Sequence, residues 1–493
     1  MASGRSNPAI VVWFTRLVTI VALALNAFIY LYPDLLNEAD QCNWHEFDKK
    51  DHVRLKSTNE YINYLPEYIS EKILLTFPQY IDDSSRNTKS PRDSSGSVKD
   101  INLLAFGDPQ INGNWPSTKY IKRIDNYGND YYLGHIYRTM KSRLRPSHVA
   151  VMGDLFSSQW ILDSEFYNRT NRFADRLFPR PLEYKRNVVE TFQKHENYNW
   201  QKWLEDENAL DPLERFQSRV YNDVYDWFNE SEKYPNFENP LFINLTGNHD
   251  IGYSGDATWQ HMARFHYLFG QNNYVINYNK GTPEEWRLVV LDSMTLEGPA
   301  LQEEFVNFTW SFLENLKERE NPNFKGSTIL LTHIPFYKRE GLCRDGPEHI
   351  YYIDNKQEPY KNGKLRSQNH LSYEVSQKVL DIIFPNNDKS GLILTGHDHE
   401  GCDDWYNYEG HEWVASKEKN NKEREPIREI VVRSMMGDFD GQTGILTGHF
   451  NYPQNSWDFE FTYCSFTVQH WWWAAKVTLF LTILLQSILF LRR

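Results

Sequence analysis

Five short apolar runs in this chain end the same way, each handing over to polar residues of a metal-binding type. Residues 101–106 lead into Gly107-Asp108, 148–152 into Gly153-Asp154, and 241–245 toward Gly247-Asn248-His249-Asp250. Residues 328–331 precede His333, and 392–394 precede Gly396-His397-Asp398-His399. Apolar runs of this length, alternating with longer helix-compatible stretches, predict an α/β domain. Residues just past the carboxyl ends of such strands face one crevice, so the five clusters are expected to meet there. Two more strands are expected at 286–291 and 429–434.

Each cluster alone is ordinary, since an Asp after Gly often closes a turn and a His beside a strand is often a core residue. Together they offer Asp108, Asp154, Asn248, His249, His333, His397 and His399. These imidazole, carboxylate and amide donors suit divalent metals, and the lack of a thiolate argues against a structural zinc site. His397 and His399, two apart on an extended segment, are expected to point the same way.

The ends of the chain are apolar. Residues 10–32 are interrupted only by Thr15, Arg16, Thr19 and Asn26, and 474–491 run between Trp471-Trp472-Trp473 and Arg492-Arg493, with Lys476 beside the tryptophans. About 20 mainly apolar residues cross a bilayer, and a Trp belt opposite terminal arginines fits a spanning helix. A cleaved signal peptide at the start is disfavoured, because Leu31, Tyr32 and Pro33 follow the run in place of small residues. Arg5, Arg16 and Arg492-Arg493 put both termini in the cytosol and everything between them in a lumen.

That placement allows disulfides. Cys42 with Cys464 and Cys343 with Cys402 are a natural pairing, although four cysteines permit three connectivities or four free thiols. Sequons at Asn168, Asn229 and Asn307 are candidate glycosylation sites, whereas Asn244 sits inside an apolar strand-like run. The net charge of −13, from 66 acidic and 53 basic residues, comes without a basic stripe and argues against a nucleic-acid partner.

The order GD, GD, GNHD, H, GHxH resembles the calcineurin-like metallophosphoesterase superfamily over roughly residues 101–450. The resemblance implies a four-layer α/β/β/α sandwich and two divalent metal ions. Asp108 and His399 would hold the first, Asn248, His333 and His397 the second, and Asp154 would bridge them. His249 would be the general acid, and Asp250 either orients its imidazole or caps the turn. The usual D-x-H of the first motif reads Asp108-Pro109-Gln110 here. Gln110 offers either a hard, neutral amide oxygen to a metal, which shifts preference toward manganese or magnesium, or a hydrogen bond only. The Arg-Gly that follows the second motif in serine/threonine protein phosphatases is missing, so that branch is disfavoured.

The runs GDPQI, MGDLFSSQW, TGNHDIGYSGDA, HIPFYKREGLC, RSQNHLS, TGHDHEGC and SMMGDF resemble a narrower group. It is the fungal endoplasmic-reticulum branch that remodels glycosylphosphatidylinositol (GPI) anchors. That resemblance implies manganese-dependent removal of an ethanolamine phosphate side branch from a mannose of the anchor, leaning to the second. GPI-anchored proteins would be the substrate, and the endoplasmic-reticulum cargo-receptor machinery a further partner. Other readings are a lumenal phosphoesterase for a different substrate, or a non-catalytic cargo-sorting factor on the same fold. Arg344 and Lys338 are candidates for contact with substrate phosphate, or else solvated surface residues, and a Cys343–Cys402 bridge would brace two ligand loops.

The expected organisation is a cytosolic tail (1–9), a membrane helix (10–32) and a lumenal linker (33–99). A metallophosphoesterase domain (100–452) with a helical insertion (157–240) follows, then a lumenal return segment (453–473), a membrane helix (474–491) and a tail (492–493).

Overall fold

Strand runs in the middle of the chain are apolar without alternation because both of their faces are buried. A computed structural model describes residues 9–37, 41–47, 57–65, 69–70, 73–74, 80, 82, 98–115, 117–180, 219–222, 240–386, 388–420 and 423–492. The strands are β1 (Ile101–Phe106), β2 (His148–Val151), β3 (Arg219–Asn222), β4 (Leu241–Asn244), β5 (Tyr274–Tyr278), β6 (Trp286–Val290), β7 (Ser327–Leu331) and β8 (His349–Tyr351). They continue with β9 (Leu365–Gln368), β10 (Gly391–Thr395), β11 (Cys402–Glu409), β12 (Glu412–Ser416), β13 (Ile427–Val431), β14 (Thr443–Asn451) and β15 (Ser456–Cys464). The helices used below are α1 (Ala9–Leu36), α2 (Tyr120–Leu144), α3 (Asp163–Arg172), α4 (Asn248–Ile251), α5 (Trp259–Phe269), α6 (Glu303–Asn315), α7 (Tyr373–Ile383) and α8 (Gln469–Leu491).

One sheet has the order β15-β14-β1-β2-β4 and the other β12-β11-β13-β10-β7-β6-β5-β3. Leu103, Ala105 and Ala150 of the first sheet and Leu288, Ile329, Leu392 and Ile430 of the second share the core between the sheets. Their alternate neighbours Leu104, Phe106, Val149, Leu330 and Ile393 face outward, into the core shared with Tyr132 and Ile136 of α2, Phe312 of α6 and Val379 of α7. This is the four-layer α/β/β/α sandwich that the resemblance implies. Strands β1, β2 and β4 run parallel, as do β6, β7, β10 and β13, so the carboxyl ends of both parallel sets come to one edge.

Three expectations about the domain need correction. β15 pairs with β14 along nine residues, so 456–464 is a sheet edge and the domain does not stop at 452. β3 lies within 157–240 and pairs with β5, so that stretch contributes a strand as well as helix α3. The described part of the 33–99 stretch is docked and not a free tether: Trp44 Nε1 donates to the Leu144 carbonyl and the His45 amide to Thr447 Oγ1. Cys42 and Cys464 form a disulfide, as do Cys343 and Cys402. Asn168 and Asn307 are exposed on helices α3 and α6, and Asn229 lies outside the described residues.

Helices α1 and α8 are long and apolar enough to cross a membrane. At 1.5 Å per residue they span about 42 and 34 Å, against roughly 30 Å of hydrocarbon. They pack on each other, with the Asn26 amide donating to the Ala475 carbonyl and Gln486 Nε2 to Thr19 Oγ1.

The outer layer over the five-stranded sheet is pinned by a buried charge cluster. Asp130 of α2 accepts two bonds of 2.8 Å from Arg172 and one of 3.0 Å from Arg176. Removing one partner of a buried pair strands the other charge. Asp130→Ala is therefore expected to cost about 3–5 kcal/mol, read as a lowered denaturation midpoint of the detergent-solubilised chain.

Candidate metal centre

Each polar cluster turns sharply out of its strand, and four of its residues take a backbone conformation that L-residues rarely adopt: Asp108 (φ 35°), Gln110 (φ 42°), Asp154 (φ 47°) and His397 (φ 74°). Such strain gathers where side chains must be aimed. Neighbouring loops hold the turns in place. The Gln110 amide donates to the Asp154 carbonyl, the His397 amide to Asp108 Oδ2 and the Ser434 hydroxyl to the Asp108 carbonyl. Gly247 is required by space, because a Cβ there would overlap the amide and carboxylate of Asp154. The φ of His397 also corrects the expectation for the GHxH segment. The strand ends at Thr395, and the two imidazoles diverge, His397 toward Asn248 and His399 toward Asp108.

Hydrogen bonds on the far side of the rings fix which nitrogen faces inward. His333 Nδ1–H donates to the Met152 carbonyl at 2.6 Å, which leaves the lone pair of Nε2 pointing at Asn248 Oδ1, 3.2 Å away. His397 Nε2–H donates to the Gln368 carbonyl, which leaves the lone pair of Nδ1 at 3.1 Å from the same Asn248 oxygen. Burial first, then the adjacent His333, pulls His397 down to about 3, so its ring is neutral and free to bind a cation. His333 Nε2 lies 3.6 Å from Asp154 Oδ1. With both rings neutral, four acceptor atoms face one another, which is unfavourable unless a cation, whether a proton or a metal ion, sits among them.

The other half of the site is built around Asp108. Its Oδ2 lies 3.3 Å from His399 Nε2, and its buried Oδ1 has no hydrogen-bond partner. Asp108, Asp154 and His333 alone bring three ligand atoms together in a buried group able to hold a metal ion. The donor set fits divalent cations, with Asp108 and His399 on one side, Asn248, His333 and His397 on the other, and Asp154 between. Burial pushes the Asp154 carboxyl up, but His333 and His249, when protonated, outweigh it and hold Asp154 below the usual range.

Several expected roles change. Gln110 has its Nε2 at 3.2 Å from both Asp154 Oδ2 and His399 Nε2, a hydrogen-bonding position between these two residues. Asp250 does not orient His249. Its carboxylate oxygens accept from the amides of Leu155, Phe156 and Gly247, which makes it the cap of α4 and the tie to the second loop. Lys338 is fully buried and paired with Glu429 at 2.5 Å, so it is neither solvated nor available to a phosphate. Arg344 is exposed at the rim and paired with Glu400. The Cys343–Cys402 bridge joins the loop after His333 to the strand that follows His399. His249 lies beside Asp154: its amide donates to Asp154 Oδ1, while its ring, 39% exposed, lies 3.8 Å from Asp154 Oδ2 on the open side.

Three contributors stand in the runs quoted for the resemblance without a ligand side chain to mark them. The Met152 and Gln368 carbonyls act through the backbone, and Phe439, which packs edge-on against the His399 ring at 5.0 Å, stands in a run with no ligand residue of its own.

Asp250→Ala would orphan three backbone donors at about 1–3 kcal/mol each, so stability and metal binding should fall together. His249→Ala, at an open position, should leave stability within about 0.5 kcal/mol. Chemical denaturation of both variants beside the parent checks the contrast.

No family profile matches the chain. Protein TED1 of Saccharomyces cerevisiae is 47% identical over 489 residues, spanning 96% of this chain and 97% of that protein. Metallophosphoesterase 1 of Gallus gallus is 26% identical over 216 residues, 41% of this chain and 47% of its own length. The Xenopus laevis protein of the same name is 28% identical over 182 residues, 33% and 42% respectively.

Proposed function

The chain belongs to the calcineurin-like metallophosphoesterases, in the branch of yeast protein TED1, and is a phosphoesterase; from that premise we propose that it hydrolyses a phosphodiester of GPI anchors. The bond cut is the one linking an ethanolamine phosphate side branch to a mannose, the second on our reading. The reaction takes place on the lumenal face of the endoplasmic-reticulum membrane and assists exit of GPI-anchored cargo, with manganese as the working metal. The observation that carries the hydrolytic part is the ring of acceptor atoms around Asn248 and Asp154 with His249 beside it on the open side.

Asp108, His399, Asn248, His333, His397 and Asp154 would hold two divalent cations, which when bound neutralise phosphoryl charge and make water a nucleophile near neutral pH. The chain's own groups do the rest. Gln110 fixes the shared Asp154 carboxylate through its Nε2–H. Carbonyls of Met152 and Gln368 lock two imidazoles in the tautomer that keeps their inner nitrogens deprotonated. His249, whose ring reaches solvent, is placed to give its proton to the departing sugar alkoxide, which otherwise leaves poorly.

Support for a membrane-held substrate comes from the Phe439 loop. Gly437 in that loop lies against Gln469, the first residue of α8, and Phe439 touches His399, so one loop separates the site from a membrane helix.

Purified chain should release ethanolamine phosphate from anchors that carry the side branch and leave anchors without it unchanged, as read by mass spectrometry. His249→Ala should lower the rate about 10²- to 10⁴-fold. Release of phosphate from nucleotides with no action on anchors would sink the substrate assignment. Chelation should abolish turnover, and manganese should restore more of it than zinc. Equal recovery with zinc would remove manganese from the reading.

A further inference from the structure

Helix α2 meets the membrane helices progressively deeper toward its own amino terminus. Arg143, in its last turn, forms two bonds with Asp34 near the end of α1, at 2.8 and 2.6 Å. Two turns earlier, His135 Nε2–H donates to the Ile29 carbonyl at 3.1 Å. Two turns earlier again, Gly128 lies so close to the Trp473 indole of α8 that a Cβ would overlap the ring. The Asn26–Ala475 bond and the Phe28–Trp471 contact set Trp473 between Asn26 and Phe28 in level, deeper than Ile29 and Asp34. The eight residues of α2 that precede Gly128 continue past this point for about 12 Å.

Several of those residues are apolar and largely uncovered by the described residues, although the Tyr127 ring lies beside Tyr131 and under the Arg176 guanidinium. Tyr120 is 77% and Ile121 81% exposed, and Ile124, Tyr127 and the preceding Trp115 are exposed as well. Positions 120, 121, 124 and 127 fall on one helical face. Lys119, Lys122 and Arg123 flank it. Lys122 pairs with Asp125, and Arg123 donates to the Thr118 and Trp115 carbonyls. An apolar face with aromatic and basic neighbours, on a helix leaning against two spanning helices, is the make-up of an in-plane interfacial segment.

We propose that Trp115 and the first two turns of α2 lie in the headgroup region of the leaflet on the catalytic domain's side, a third membrane attachment that sets the height of the metal centre. The occupant is the lipid surface, because the face continues the contact that α2 already makes with α1 and α8. The attachment reaches the site through a short path. Asn126 of α2 donates to the Gly113 carbonyl and to Asn114 Oδ1, in the loop that starts at Asp108 and Gln110. The proposal rests on α1 and α8 spanning the bilayer and does not depend on the substrate.

Among the described residues no cysteine is free, so one introduced cysteine can be labelled selectively. Full-length Ile121→Cys and, as a control in the loop after β12, Glu418→Cys would each carry a polarity-sensitive fluorophore. Both would be reconstituted in phosphatidylcholine vesicles containing phosphatidylinositol. The expected result is blue-shifted emission at 121, quenched several-fold more by lipid spin-labelled near the headgroup than at 418. Emission at 121 that matches 418 and is quenched by aqueous iodide would overturn the proposal. So would shielding of 121 from both quenchers, which would mean that protein covers the face. The measurement needs no turnover, so it stands or falls separately from the anchor-hydrolysis reading.

Discussion

Lone pairs that face one another at the meeting point of two parallel strand sets govern this structure. Asn248 Oδ1 lies 3.2 Å from His333 Nε2 and 3.1 Å from His397 Nδ1, and the Asp154 carboxylate lies beside them. Without a cation such an arrangement is repulsive, and the protein maintains it by spending stability elsewhere. Four residues sit at positive φ, a conformation that costs of the order of 1–3 kcal/mol each and survives only when its surroundings over-determine it. The surroundings are the two sheets. A parallel bridge from Gly107 to Ser434 ties β1 to the segment after β13, and an amide-to-carboxylate bond ties His397 to Asp108. The sandwich fixes the ligand turns, and the turns hold the ligands against their mutual repulsion.

Helix α2 links that frame to the membrane. One side carries Tyr132 and Ile136 into the outer core of the five-stranded sheet, and Asp130 clamps the helix to the last turn of α3 and the segment after it. The other side runs along α1 and α8 through Gly128, His135 and Arg143. A shift of the spanning pair would therefore reach the loop of Asp108 through a single helix. Glycine at 128 is what permits so close an approach to Trp473.

Much of the fold was legible because both sheets are buried on both faces, which writes central strands as unbroken apolar runs followed by ligand residues. The clustering of the candidate ligands could be read for the same reason, since carboxylates and imidazoles at five strand ends are too many for turns and caps alone. What could not be read was direction. Asp250 and His249 are adjacent in sequence, yet the Asp250 carboxylate turns back to three amides, and nothing in the residue types decides that. Gln110 can ligate through oxygen or donate through nitrogen, and which of its neighbours it meets, Asp154 Oδ2 and His399 Nε2, is not written in its residue type. Lys338 looked like a surface cation only because its partner Glu429 lies 91 residues away. β15 was missed because, with one face partly exposed at the sheet edge, it alternates and mixes charges with aromatics.

The Cys42–Cys464 bridge closes a stretch of 422 residues, and its two ends lie just inside the spanning helices. The polypeptide between the membrane anchors is therefore a covalent ring. A single cut anywhere in the catalytic domain leaves every fragment attached to a spanning helix and, through the bridge, to the other fragment. A protease working on the domain side cannot shed a soluble enzyme with one cleavage, and the two anchors cannot drift apart in the bilayer until the bridge is reduced.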